Sequence, residues 1–217
     1  MAFSSSKNLV LNLIKSNLSF YSFSKETGRV RNENLQVFNK KKWNKINLIE
    51  TTNSFLLLPH KLPEFLKNIN IDKTIEFETK YLKKVEKIND INLTFFYSEN
   101  MNVKKADNIN HIGKILLNEF LNNRSKSKEV YIATLQKKLY VCIIENKKLL
   151  FYNQFEFNGS NYIKYILLIF DEYNLDRKKN AINILDKSFI QTPLKNFFNK
   201  INLYKKSIFE IIEEYYG

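Results

Sequence analysis

The chain has 217 residues, 44% hydrophobic and 14% aromatic, a composition that can fill a core and excludes intrinsic disorder. Its formal net charge is +13, yet among 35 basic residues only Arg29, Arg31, Arg124 and Arg177 are arginine, so the planar fork that reads phosphate and guanine is nearly absent. A single cysteine, Cys142, excludes an internal disulfide, and the internal glycines Gly28, Gly113 and Gly159 leave few places for a bare backbone loop around a phosphate.

In chain order, NLVLNLIK and LSFYSFS predict two strands joined at Ser16 and Asn17, and GRVRNENLQVF a third. KINLIETT and SFLLL predict two more, with a turn at Thr52 to Ser54. Pro59 and Pro63 punctuate the entry to a short helix, LPEFLKNI. Residues 70–90 mix charges so evenly that helix and extended structure fit equally. INLTFFYS predicts a strand, ENMNVKKADNIN a helical or irregular connection, and His111 to Asn123 a helix with Ile112, Ile115, Leu116 and Phe120 on one face. Polar, basic NNRSKSK (122–128) predicts a linker between lobes at 1–123 and 129–217.

After the linker, EVYIATL, QKKLYVCIIEN and KKLLFYNQFEF predict three consecutive strands, the last two joined by a two-residue turn at Asn146 and Lys147. A helix begins at Gly159 and Ser160, capped by Ser160 or Asn158, with Tyr162, Ile163, Ile166, Leu167 and Phe170 as its stripe. NAINILD predicts a buried strand, Thr192 and Pro193 the start of a further helix, and Lys205 to Tyr216 a last one. The second half thus reads βββαβα plus a final helix, and both halves open with three adjacent strands. That pattern predicts an α+β, two-lobed, ribonuclease H-like fold, with Leu11, Leu56, Phe95, Leu139, Val141, Phe151, Ile166, Phe170 and Ile182 in its core.

The first sixty residues hold a basic cluster, Arg29, Arg31, Lys40, Lys41, Lys42 and Lys45, around Trp43. Such a cluster suits either contact with RNA backbone and one stacked base, or a solvated loop anchored by its tryptophan. His60 and His111 are the only histidines and do not make a zinc set. No G-x-S-x-G or G-x-x-x-x-G-K occurs, and across Val130 to Leu135, the first strand of the second half, there is no acid for two-metal chemistry, Glu129 lying only at its edge. The residues predict no catalytic group, no metal and no cofactor. The longest apolar run is far below the roughly 20 residues of a spanning helix. Lys7 and Lys15 bound too short an apolar segment for a signal peptide, so a cytoplasmic protein without a membrane span is expected.

Three segments carry a family resemblance: LVLNLIKSNLSFYSF, SFLLLPHKLPEFL, and VYIATLQKKLYVCIIENKKLLFYNQFEFNGSNYIKYILLIFDEYNLD. With the Leu149–Phe155 run and His111 ahead of its helix, the chain resembles, over nearly its full length, a bacterial family of unassigned role, domain-of-unknown-function family three-eight-two-two. The resemblance implies an actin-like fold, similar to pilus-assembly and secretion-platform proteins of the ATPase superfamily. It also implies where nucleotide would bind: an Asp-x-Gly turn after the first strand of each half, and a glycine pair after the fifth strand. The matching positions here are Asn12 to Asn17, Thr134 to Lys138, and Asp186 with Lys187, and none keeps the pattern. The expectation is therefore a non-catalytic actin-like scaffold for an unidentified protein partner, with Phe151, Tyr152, Tyr215 and Tyr216 as candidate contacts. Two alternatives are an RNA-associated accessory protein and a weak ATP binder.

Overall fold

The computed structural model describes residues 10–15, 20–24, 28–32, 44–51, 54–59, 81–88, 91–100, 106–123, 126–156, 158–185 and 193–217. The first half contributes β1 (Val10–Lys15), β2 (Phe20–Ser24), β3 (Gly28–Asn32), β4 (Lys45–Glu50), β5 (Phe55–Pro59), β6 (Tyr81–Ile88), β7 (Leu93–Asn100), β8 (Asn108–His111) and α1 (Ile112–Asn122). The second contributes β9 (Glu129–Leu135), β10 (Lys138–Glu145), β11 (Lys148–Glu156), α2 (Tyr162–Glu172), β12 (Ile182–Ile184), β13 (Ile201–Leu203) and α3 (Ile208–Tyr216).

Two five-stranded sheets share one plan. The first runs β3-β2-β1-β4-β8 and the second β11-β10-β9-β12-β13. In each, the first three strands are antiparallel neighbours and the remaining two are added parallel. This is the order that a ribonuclease H-like reading requires, and it occurs twice. Between β4 and β8 the chain inserts a three-stranded antiparallel sheet, β5-β7-β6.

Side-chain alternation explains how the second sheet is covered. Leu139, Val141 and Ile143 of β10 face α2, in a cluster with Ile166, Phe170 and Ile182. Tyr140, Cys142 and Ile144 face the other way, toward α1. A strand buried on both faces reads as a continuous apolar run, as β10 does. The turns on either side of it, Gln136-Lys137 and Asn146-Lys147, put both central residues at positive φ, the conformation of a tight two-residue hairpin.

α1 lies at the junction of the two halves. Its buried residues Ile112, Ile115, Leu116, Leu117 and Phe120 share one core with Ile14 and Ile49 of the first sheet and Tyr131 and Tyr152 of the second. Ile211 and Ile212 of α3 join the same core. In the first sheet a row of amides crosses the parallel strands. Asn47 Nδ2 donates to Asn12 Oδ1 at 2.8 Å, and Asn108 Nδ2 donates to Asn47 Oδ1 at 2.8 Å.

Several expectations change. Leu56 is exposed and its neighbour Phe55 is buried, because SFLLL is apolar throughout and only the pairing with β7 decides which face turns inward. Phe151 is half-buried, packed on the edge of the α2-side core. β6 resolves the end of the 70–90 ambiguity as a strand, and β8 occupies part of the segment read as helical or irregular. The helix expected at Thr192 and Pro193 is only a short 3-10 turn, Leu194–Asn196, followed by the unforeseen β13. The helix expected at LPEFLKNI lies outside the described residues. Among the described residues no helix is long and apolar enough to cross a membrane.

Candidate functional site

Parallel pairing brings the carboxyl ends of β4 and β8 level, with Glu50 beside His111. Across from them stands the β9–β10 turn of the second sheet. Thr51, buried directly after β4, donates its Oγ1 hydrogen to Gln136 Oε1 in that turn. This bond joins the two halves where, by the resemblance, a phosphate loop would stand. Gln136 and Lys137 hold φ of 51° and 63°, and each carries a Cβ. Next in the chain, Lys138 is buried; burial lowers its ammonium pKa against the opposing pull of Glu156, its cross-strand partner.

Beneath this contact the space is filled with rings. His111 caps α1, its Nδ1 accepting the Gly113 N–H at 3.0 Å. The imidazole sits 5.5 to 5.8 Å from the ring centres of Phe55, Tyr97 and Phe95. Phe55 in turn stacks between Phe95 at 4.8 Å and Tyr152 at 5.1 Å. Tyr152 Oη donates to the Gly113 carbonyl at 2.6 Å, so the second sheet grips the first turn of α1. Burial raises the pKa of the Tyr152 phenol, with smaller contributions from Tyr140 and Cys142.

On the same sheet face, Tyr140 is fully buried, and among the described residues its Oη has no hydrogen-bond partner; nor has Oε1 of Gln154, the residue opposite it on β11. Burial pushes the Tyr140 phenol pKa up. A buried hydroxyl without a partner costs stability, so Tyr140→Phe is expected to stabilise the protein by about 1 kcal/mol. Above pH about 10 the unfolded chain ionises Tyr140 and the folded chain does not, so stability falls as pH rises. The variant removes that slope, worth about 1.4 kcal/mol per pH unit. Denaturant titrations at neutral and alkaline pH measure both effects, and a less stable variant would mean the hydroxyl is satisfied.

The residues singled out from sequence do not form one surface. Phe151 packs toward Phe155 and Tyr173 on the α2 side, while Tyr152 is buried on the opposite face. Tyr216 Oη accepts from Asn110 Nδ2 at 3.0 Å, and Lys45 Nζ lies 5.9 Å from the Tyr216 ring centre, so α3 closes onto β4 and β8. Tyr215 is half-buried beside it, in edge contact with Tyr216. Arg29 and Arg31 lie on β3. Lys40, Lys41, Lys42 and Trp43 lie outside the described residues, as do the turn after β1 and Asp186 with Lys187. Sequence reasoning missed Thr51 and Gly113. The signal for Gly113 was present: a glycine at the start of an apolar helix, in a chain with few glycines.

The family described as "Protein of unknown function (DUF3822)" matches residues 14–208, and no curated protein matches the chain. A Bacteroides thetaiotaomicron protein with actin-like ATPase fold and unknown function is similar over 98% of both chains, at 13% identity and a TM-score of 0.70. The PilM-PilN type IV pilus biogenesis complex aligns over 93% of this chain and 89% of that one, at 8% identity and a TM-score of 0.49. The cytoplasmic domain of EpsL, an inner membrane component of the type II secretion system of Vibrio cholerae, aligns over 95% and 93%, at 7% identity and a TM-score of 0.47. Twofold use of the β3-β2-β1-β4-β8 order and the Bacteroides thetaiotaomicron likeness give the chain a two-lobed actin-like fold, and the match over residues 14–208 makes it a member of the DUF3822 family.

Proposed function

We propose that this protein is a non-catalytic actin-like scaffold, with lobes at residues 1–123 and 129–217 held together as a fixed frame for a protein partner. The observation that carries this reading is the Thr51–Gln136 bond. A phosphate-binding turn needs backbone N–H groups that a ligand can approach closely, and glycine provides that access. Here the turn has Cβ-bearing Gln136 and Lys137, and the Gln136 side-chain oxygen Oε1 is engaged by Thr51 across the junction. Neither residue offers a carboxylate to hold magnesium in the turn itself, where the Asp-x-Gly pattern has one. The aromatic floor of Phe55, Phe95 and Tyr152 favours a closed junction over a hinge that cycles.

The expected result is that purified protein releases no phosphate from Mg-ATP above the buffer rate. Its melting temperature should stay unchanged with Mg-ATP, whereas a ligand at one hundred times its dissociation constant would stabilise by about 2.7 kcal/mol. Mg-dependent phosphate release that disappears on substitution of residues 134–138 would overturn the reading.

A further inference from the structure

A concavity lies at the lobe junction, on the far side from the Thr51–Gln136 contact. Glu129 at the start of β9 lines it, whereas Gln136 follows the end of that strand, about 20 Å away for an extended seven-residue run. The cleft holds about 650 Å³, within the roughly 300–1,000 Å³ typical of small-molecule sites. Its walls are the later turns of α1, the face of β9, β12 and β13, the Tyr204–Lys206 segment and α3.

Most of its charged groups are already fixed by neighbours. Lys206 pairs with Glu119 at 3.1 Å and also with Glu214. Glu119 Oε1 further accepts from Tyr204 Oη at 2.8 Å. Glu129 Oε2 accepts from Tyr131 Oη at 2.6 Å and Asn183 Nδ2 at 3.3 Å, and its Oε1 accepts from Ser127 at 3.1 Å. Asn202 Nδ2 donates to Asn183 Oδ1 at 3.2 Å. Charge on the walls nearly cancels: Glu119, Glu129 and Glu214 against Lys205 and Lys206. That balance favours neither a phosphate, which wants clustered cations, nor a polyamine, which wants clustered acids.

What remains unspent is amide. Asn118 and Asn122, one turn apart on α1, line the cleft and have no hydrogen-bond partner among the described residues, and Asn202 keeps its Oδ1. Each amide offers a donor and an acceptor in one plane, which matches adjacent hydroxyls that also donate and accept. Tyr204 and Tyr215, both half-buried, supply ring surface for a flat C–H face. We propose that this cleft binds a neutral sugar of one or two rings, held by the Asn118 and Asn122 amides and the free lone pair of Glu129.

The proposal is independent of whether the protein acts as a scaffold. Its test is saturation-transfer NMR and calorimetry on the full chain with glucose, galactose, mannose, N-acetylglucosamine and maltose, beside glucose 6-phosphate and spermidine. At least one neutral sugar is expected to bind at millimolar strength or better. The double variant Asn118→Ala, Asn122→Ala should weaken it by about tenfold or more, since two hydrogen bonds are lost. Asn153→Ala on the exposed side of β11 should leave it unchanged. Both variants alter partly or fully exposed side chains, and an unchanged melting temperature verifies their folding. No neutral sugar bound at about ten millimolar, preference for the phosphate or the polyamine, or binding indifferent to the Asn118 and Asn122 changes would each overturn the proposal.

Discussion

Phe120→Ala is expected to lower stability by about 3–5 kcal/mol and to leave a single unfolding transition. Phe120 is fully buried on α1, stacks on Tyr131 of β9 at 5.3 Å, and meets Tyr152 of β11 edge-on at 6.4 Å. The helix comes from the first half and both tyrosines from the second, so truncation opens a cavity on the boundary and not within either half. Both sheets lose the same support. Denaturant titration followed by far-ultraviolet and near-ultraviolet circular dichroism should give coincident, shifted midpoints. Two separated transitions would show that the halves do not share this core. Leu168→Ala, at a side chain 55% exposed on α2, serves as the comparison and should stay within about 0.5 kcal/mol.

Gly113→Ala should destabilise by about 1–3 kcal/mol, through overpacking. In an ordinary exposed helix the same change stabilises by up to about 1 kcal/mol, because glycine is a poor helix former. Here the sign reverses for a local reason. An added Cβ would lie 2.8 Å from Phe55 Cδ1 and Cε1 and 2.9 Å from His111 Nδ1. Phe55 cannot swing aside, since Phe95 and Tyr152 stack on it. His111 cannot move without releasing the Gly113 N–H that it caps. Thermal melts of the variant decide the matter, and a rise in melting temperature would refute the tight packing at this helix start.

Legibility from sequence followed the kind of force that fixes each element. β9, β10 and β11 were readable because apolar side chains alternate or run unbroken and the turns between them are short. α1 and α3 were readable because their apolar residues recur at helical spacing, and Ser207 with Glu210 forms a capping box at the start of α3. β8 was not, since Asn108 and Asn110 break its apolar pattern, and their amides find partners on Asn47 and Tyr216, far away in sequence. β13 has only three residues, too few for periodicity to register. At the candidate site the empty turn chemistry of Thr134 to Lys138 was visible in the residues themselves. The bond from Thr51 was not, because 85 positions separate the two partners and only the assembled sheets bring them together.

The amide row through Asn12, Asn47 and Asn108 acts as a register key during assembly of the first sheet. VLNLIK and KINLIE are apolar enough that grease alone would tolerate a slip of one position between β1 and β4. The amides do not. A slipped β4 would set Asn12 opposite Ile46 or Leu48, leaving amide groups stranded in a dry layer at about 1–3 kcal/mol each. The second sheet carries the corresponding notch on its own parallel strands, where Asn183 and Asn202 stand opposite each other and Glu129 accepts from the first of them. Mispaired chains are thus rejected in the first sheet by polarity and not by shape, whereas the second sheet's amides, half-buried at Asn183 and exposed at Asn202, add a contact but little penalty for a slip.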